Sequence, residues 1–288
     1  MNIIKRIEKY EILDLIKGAI SEDIGGLGDI TSKYLIPDKD ISSTYIVCKE
    51  PEGAILSGLD IAAYVFEEID PEISLKPLRD DGASLNLMDR VCDIKGPAAS
   101  ILKAERTCLN FIQHMSGIAT LTGQFVKIAA PYGVKIVDTR KTKPMLRKIE
   151  KYAVLCGRGH NHRFGLFDGV LIKDNHIAAA GGVLRAVDSI RDNVPHTVKI
   201  EVEIKDFDEL DQALKAEADI IMLDNMDPED MEKAVKIIRE KRGDTIIEAS
   251  GNVNLGTLKD ICKTGIDVVS VGALTHSAPA IDFSLEFE

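Results

Sequence analysis

The chain has 288 residues, 45% of them hydrophobic, and a formal net charge of -11. That length fits one large domain or two ordinary ones, with enough apolar content for a sizeable core. Acidity, 5% aromatics and no Trp exclude a dedicated nucleic-acid binder, which needs a basic face or aromatics interleaved with basic residues.

The N-terminal segment MNIIKRIEKYEILDLI is charged throughout and lacks the apolar stretch of a signal peptide. Nowhere does an apolar run reach the roughly 18 residues that cross a membrane. Cys48, Cys92, Cys108, Cys156 and Cys262 are odd in number, widely spaced and without a CxxC pair. They suit neither a disulfide framework nor a zinc site. A cytoplasmic protein is the expectation.

Residues 10–17 put Ile12, Leu13, Leu15 and Ile16 on an amphipathic helix, and the Gly- and Asp-rich SEDIGGLGDITS follows as a loop. From 42 to 96, the runs TYIVCKE, AILSG, ISLKPL and VCDIKG are separated by Gly, Pro and Asp. They read as strands, with one helix near 59–68. A long helix is expected over 98–115, where Ile101, Leu102, Leu109 and Ile112 recur at helical spacing. Arg106 flanks that face, either as a solvated helix residue or as part of a site.

After Pro131 the rhythm changes. Short β-branched runs (VKIVDT, GVLIKD, VKIEVE, DIIMLD, TIIEAS, DVVSVG) alternate with helical stretches. That alternation marks buried parallel strands with crossover helices. Six such units fall short of the eight of a full TIM barrel, so an open, incomplete α/β barrel competes with a doubly wound sheet. Their carboxyl ends read Asp138, Lys173-Asp174, Glu203, Asp224-Asn225, Glu248 to Gly251, and Ser270 to Gly272. In a parallel barrel such ends converge on one face.

Within 140–173 nine Lys/Arg residues stand against two Asp/Glu, a basic island in an acidic chain. Like charges held together call for an anionic ligand. Arg140, Lys141, Arg163 and Lys173, with His162, suit a ligand with several negative groups. Glu203 and Asp224, on successive strands, suit Mg²⁺ or sugar hydroxyls. The turns at Ser250 to Asn252 and Val271 to Ala273 offer backbone N–H groups to a phosphate. Three other readings compete: a metal cluster of His160, His162 and His176, a Schiff-base Lys173, and a Cys156 nucleophile, for which a small core residue is the plainer account.

The segments DTRKTKPMLRKIEKYAV and NHRFGLFDGVLIKDNHI, with EDIGGLGDITS, ERTCLNFIQHMSGIAT, EVE, IMLDN, EASGNV and SVGALTHS, resemble the quinolinate phosphoribosyltransferase family, in order along nearly the whole chain. The resemblance implies an N-terminal α/β sandwich domain (1–115, with 275–288 returning to it) and an open, incomplete α/β barrel (116–274). It implies transfer of phosphoribose from 5-phosphoribosyl-1-pyrophosphate to quinolinate with decarboxylation, giving nicotinate mononucleotide, pyrophosphate and CO2 for NAD synthesis. Mg²⁺ is the implied cofactor. By the same resemblance Arg140, His162, Arg163 and Lys173 hold quinolinate, with Arg106 reaching over from a second subunit, and Thr139 is a further substrate-binding residue. Lys141 lies between the substrates, Glu203 and Asp224 face the ribose and Mg²⁺, and Lys141, Lys173, Glu203 and Asp224 are the catalytic set. Ser250, Gly251, Asn252, Val271, Gly272 and Ala273 hold the 5′-phosphate, with His276 nearby. The implied assembly is a homodimer with shared sites, or a hexamer of such dimers.

The chain departs from the family pattern twice. It reads Thr142-Lys143-Pro144-Met145-Leu146-Arg147 where the family commonly has TTPGLR, and Gly157-Arg158-Gly159 where a small run such as GGG is usual. A paralogous group associated with molybdenum transport shares the fold and part of the motif set; the intact KDNH at Lys173 to His176 favours the quinolinate enzyme. A non-catalytic anion-binding protein would have no use for the two acids among the cations.

Overall fold

A computed structural model describes residues 6–37 and 40–288; the first five residues of the charged N-terminal segment lie outside it. After a 3₁₀ turn (Lys9–Glu11) the elements run α1 (Leu13–Ile24), α2 (Ile30–Leu35), β1 (Ile41–Cys48), β2 (Ala54–Ile55), α3 (Leu59–Ile69), β3 (Ser74–Pro77), β4 (Ser84–Leu85), β5 (Arg90–Pro97) and α4 (Ala98–Ala129). Then come β6 (Lys135–Val137), α5 (Arg147–Cys156), β7 (Val170–Ile172), α6 (Asp174–Ala180), α7 (Val183–Arg191), β8 (Ile200–Ile204), α8 (Phe207–Lys215), β9 (Ile220–Asp224), α9 (Pro228–Lys241), β10 (Ile246–Ser250), α10 (Leu258–Lys263), β11 (Val268–Ser270), α11 (Ala273–His276) and β12 (Phe283–Phe287).

The chain divides into two compact units: Met1–Gly123 with Lys143–Arg158 and Ser277–Glu288, and Gln124–Thr142 with Gly159–His276. The first holds an antiparallel sheet in the order β12-β1-β5-β3 and the small β2-β4 pair. The C-terminal strand β12 lies along β1 from Thr44↔Phe287 to Cys48↔Phe283. Gly117 shows why the tail fits there. A Cβ on it would stand 2.0 Å from the Pro279 carbonyl oxygen, and Ile281 N–H donates to the Gln113 carbonyl at 3.1 Å beside it.

Helix α4 extends well past the expected end near 115. Ile101, Ala104, Cys108, Ile112, Met115 and Ala119, all buried, continue one stripe. Gly117, just past the expected end, serves the close approach of the tail. Two contacts tie residues 143–158 to the first unit rather than to the expected barrel: Tyr152 Oη donates to Asp81 at 2.9 Å, and His114 Nε2 lies 2.9 Å from Glu150. The expected loop over SEDIGGLGDITS is shorter than predicted. Asp29 accepts from Thr31 and Ser32 N–H at 3.0 Å each and starts α2 as its N-cap.

The second unit is built on a six-stranded parallel sheet, order β6-β11-β10-β9-β8-β7. From β7 to β11 each strand pairs with the next in sequence, and β11 then pairs with β6. That is the one-way winding of a barrel, opened between β6 and β7; a doubly wound sheet would reverse direction. Val202, Ile221, Leu223, Ile247, Ala249 and Val269 are fully buried along these strands. Asp206 and Asp227 cap α8 and α9, accepting from Glu209 and Asp230 N–H at 2.9 and 3.0 Å. Among the described residues no helix is long and apolar enough to cross a membrane.

Candidate active site

The carboxyl ends of the six parallel strands surround a cavity of about 510 Å³, within the usual range for small-molecule sites. Thr139, Arg140, Lys141, His162, Arg163, Lys173, Glu203, Asp224, Ser250, Gly251 and Asn252 line it, all in the second unit. Val271, Gly272, Ala273 and His276 fall outside the lining. They stand next to it: a Cβ on Gly272 would meet Lys141 Cδ at 2.9 Å and His276 Nε2 at 3.3 Å. Arg106 is exposed on α4, in the first unit.

Each cation is placed by backbone chemistry at a strand end. After β6, Thr139 Oγ1 accepts from Lys141 N–H at 3.0 Å, and Thr275 Oγ1 donates to the Lys141 carbonyl at 2.8 Å. Asp138, fully buried, accepts from His162 N–H at 3.0 Å and so pulls the loop after α5 back to β6. Asp168 accepts from Phe164 and Gly165 N–H at 2.7 and 2.8 Å. Arg163 Nη1 donates to the Gly169 carbonyl at 3.0 Å. Burial lowers the pKa of the Arg163 guanidinium, and the neighbouring charge of Arg140 adds to it. The two guanidiniums therefore face one region. At the start of α6, His176 Nδ1 accepts from Lys173 N–H at 3.0 Å, the structural role of the KDNH motif. Lys173 Nζ donates to Glu203 across from β7 to β8.

Past Lys173 the successive strand ends become acidic and then neutral. Glu203 and Asp224 end neighbouring strands β8 and β9, and Asp224 Oδ2 accepts from Asn225 Nδ2 at 2.7 Å. Asn225 and Asn252 adopt positive φ of 54° and 52°, a conformation that Asn tolerates better than most residues. Asn252 Nδ2 donates to Asn225 Oδ1 at 3.1 Å. Gly251, at φ 93°, lies beneath this pair; a Cβ there would stand 2.2 Å from Asn225 Oδ1.

Four lining residues went unassigned in sequence: Leu171, Met222, Asn225 and Ser270. Asn225 and Ser270 stand at strand ends already read as such. Leu171 and Met222 carry no polar signal and provide the apolar wall. Beneath the cavity lie Glu201 and Glu248, both buried, with His162 Nε2 3.1 Å from Glu201 and 3.7 Å from Glu248. Glu201 sits in the EVE run, where only its position on the inward face of β8 could have singled it out.

The competing readings find no support. The His160, His162 and His176 cluster does not form; among the described residues the only group of three or more His, Cys, Asp or Glu side chains with metal-ligand spacing is His162, Glu201 and Glu248. Cys156 is buried and its thiol is pushed up to about 12 by burial, so it is no nucleophile. Lys173 is ion-paired with Glu203, an arrangement that places a charge rather than frees an amine.

Residues 29–116 match the N-terminal-domain model of the quinolinate phosphoribosyl transferase family, and residues 118–286 match its C-terminal-domain model. A probable nicotinate-nucleotide pyrophosphorylase [carboxylating] of Methanocaldococcus jannaschii is 43% identical over 280 residues, 95% of this chain and 96% of that protein. The corresponding Bacillus subtilis protein is 39% identical over 276 residues, 96% of this chain and 93% of its own length. The solved nicotinate-nucleotide pyrophosphorylase of Francisella tularensis superposes with a TM-score of 0.93 at 42% identity, covering 100% of both chains. On both halves of its length the chain belongs to the quinolinate phosphoribosyl transferase family.

Proposed function

We propose that this chain joins quinolinate to 5-phosphoribosyl-1-pyrophosphate with loss of CO2, releasing pyrophosphate and nicotinate mononucleotide for NAD synthesis. The observation that carries the reading is the convergence of Arg140, Lys141, Arg163 and Lys173 with Glu203 and Asp224 in the lining of a single cavity. Quinolinate is a dicarboxylate, and guanidinium forks meet carboxylates two bonds at a time. Leu171 and Met222 suit the pyridine face. Glu203 and Asp224 then face the ribose, with the 5′-phosphate on backbone N–H groups around Gly251 and Gly272.

The ring nitrogen attacks ribose C1 as the C1–O bond to pyrophosphate breaks. Positive charge builds on the sugar, and Glu203 and Asp224 stabilise it electrostatically. Lys141, between the two subsites, meets the departing anion. The quaternised nitrogen then draws electrons from the adjacent carbon. The bond to its carboxylate breaks, CO2 leaves, and the electron pair left on that carbon takes up a proton. The protein positions the reactants and shields the intermediate; no enzyme nucleophile is required.

Two carboxylates at neighbouring strand ends fit Mg²⁺, which is commonly bound through one or two carboxylates plus substrate phosphates. Glu203 and Asp224 would hold it; when bound it neutralises charge on the leaving pyrophosphate. We read the assembly as a homodimer in which Arg106 serves the neighbouring subunit's cavity, as its exposed place on α4 supports. All five cysteines are free and buried, which suits a reducing compartment such as the cytoplasm. The test is direct: the purified protein, given quinolinate, phosphoribosyl pyrophosphate and Mg²⁺, should release CO2 and form nicotinate mononucleotide in equal amounts. No product, or product from nicotinate in place of quinolinate, would sink the assignment.

A further inference from the structure

His162, half-buried in the cavity lining, and the buried Glu201 and Glu248 beside it have no part in the mechanism above. It has the spacing of a metal site: a ring nitrogen and two carboxylate oxygens lie within 4.8 Å of one another. Glu201 Oε1 and Glu248 Oε1 are buried without a hydrogen-bond partner among the described residues. Something must satisfy this cluster, and a cation and a proton are the two candidates.

The other face of the imidazole decides between them. His162 Nδ1 accepts from Arg163 N–H at 2.8 Å. A nitrogen that accepts carries no proton, so the ring is neutral and its hydrogen sits on Nε2. Nε2–H then donates to Glu201 Oε2. A metal on Nε2 would force the proton onto Nδ1, directly against the Arg163 amide; metal-bound histidines instead donate that second N–H to an acceptor. An imidazolium meets the same conflict.

We infer that Glu201 and Glu248 are positioning residues that lock His162 as a neutral Nε2–H imidazole, its N–H turned down into the sheet. The charge of the pyridine diacid is then met by Arg140, Arg163 and Lys173, while His162 fixes the shape of the pocket floor. The link from ring to loop is direct, because the Arg163 amide that holds Nδ1 belongs to the residue carrying one of those guanidiniums.

This inference rests on the reading of the cavity as a quinolinate pocket, but its first test does not. In native protein carrying ¹⁵N-labelled histidine, near neutral pH, the His162 resonances (identified by their loss in His162→Gln) should show an unprotonated Nδ1 and a protonated Nε2. An imidazolium pattern, the Nδ1–H tautomer, or one equivalent of bound transition metal in the purified protein would overturn the inference. Kinetics supply the second arm. Glu201→Leu should raise the KM for quinolinate at least about tenfold and leave that for phosphoribosyl pyrophosphate within about threefold. Glu201→Gln, which keeps an acceptor for Nε2–H, should restore most of the loss. Equal changes in both KM values, or none, would also overturn it, and if the Leu variant does not fold, the native spectrum decides. Native protein without quinolinate activity would sink the functional assignment instead and leave the tautomer measurement standing.

Discussion

Lys173 and Glu203 neutralise one another across neighbouring strands, whereas Arg140 and Arg163 face each other closely enough to repel. A dianion seated between these cations removes that repulsion, so the pocket is built to be completed by its substrate. Lys173→Ala and Arg140→Ala should each lower kcat/KM roughly 10²- to 10³-fold, the usual scale for losing one charge-stabilising donor, and leave the thermal midpoint close to that of the native protein. Near-normal turnover would remove these residues from the site. Glu248 makes a different prediction, one about stability. Burial, and next the charge of Glu201, raise its carboxyl from 4.5 to about 7. A carboxyl whose folded pKa exceeds its unfolded one favours the fold while protonated; that contribution is complete below pH 4.5 and is lost as pH rises through about 7. Glu248→Gln cannot ionise. Relative to native protein it should gain stability between pH 5 and 8, by up to about 3 kcal/mol, read from denaturant melts across that range. Parallel pH profiles for the two proteins would contradict this origin for the shift.

Strand ends and the turns that follow them do the next level of work. Asp224 lies opposite Ser250 in the register of β9 and β10, so the turns through Asn225 and Gly251 meet at one height. Gly251 fills that junction at φ 93° with no room for a Cβ. Gly251→Ala should therefore displace Asn225, raise the KM for phosphoribosyl pyrophosphate at least about tenfold and alter that for quinolinate less, with a stability loss of about 1–2 kcal/mol for the left-handed backbone. A purely thermal effect with unchanged KM would place the phosphate elsewhere. This level was also the most legible from sequence, because apolar runs of one length, each ending in a charge or a glycine, follow from burial on both faces of a parallel sheet. Legibility failed where two structural causes share one signal. Gly117, just beyond the expected helix end near 115, is a contact glycine inside α4. Glu201 and Glu203 alternate as any exposed pair would, yet both point inward. The departures from the family pattern are sharper in the structure: Met145 stands where the family commonly has Gly, and both it and Arg158 adopt positive φ, 66° and 65°. The Lys143 side chain reaches His114 Nδ1 at 3.4 Å and its N–H donates to Glu150 at 3.1 Å, so it serves the first unit rather than the cavity.

At the scale of the whole molecule, every residue lining the cavity belongs to the second unit, while Arg106, the one expected site residue of the first, is exposed on α4. If Arg106 completes the cavity of a neighbouring subunit, two inactive variants must rescue each other. In a hybrid dimer of Arg106→Ala and Lys173→Ala chains, one cavity carries both defects and the other carries neither. Random exchange at equal amounts makes about half the dimers hybrid, so about a quarter of native activity should return. Each variant alone should stay inactive at every concentration, because each of its sites is defective. Titrating one variant into the other should give recovery that peaks near equal proportions and depends on subunit exchange, which mass spectrometry of differently labelled chains follows independently. Arg106→Ala that is active by itself, or hybrids that form without activity, would assign Arg106 to the solvated face of α4 and confine the catalytic site to the second unit of a single chain.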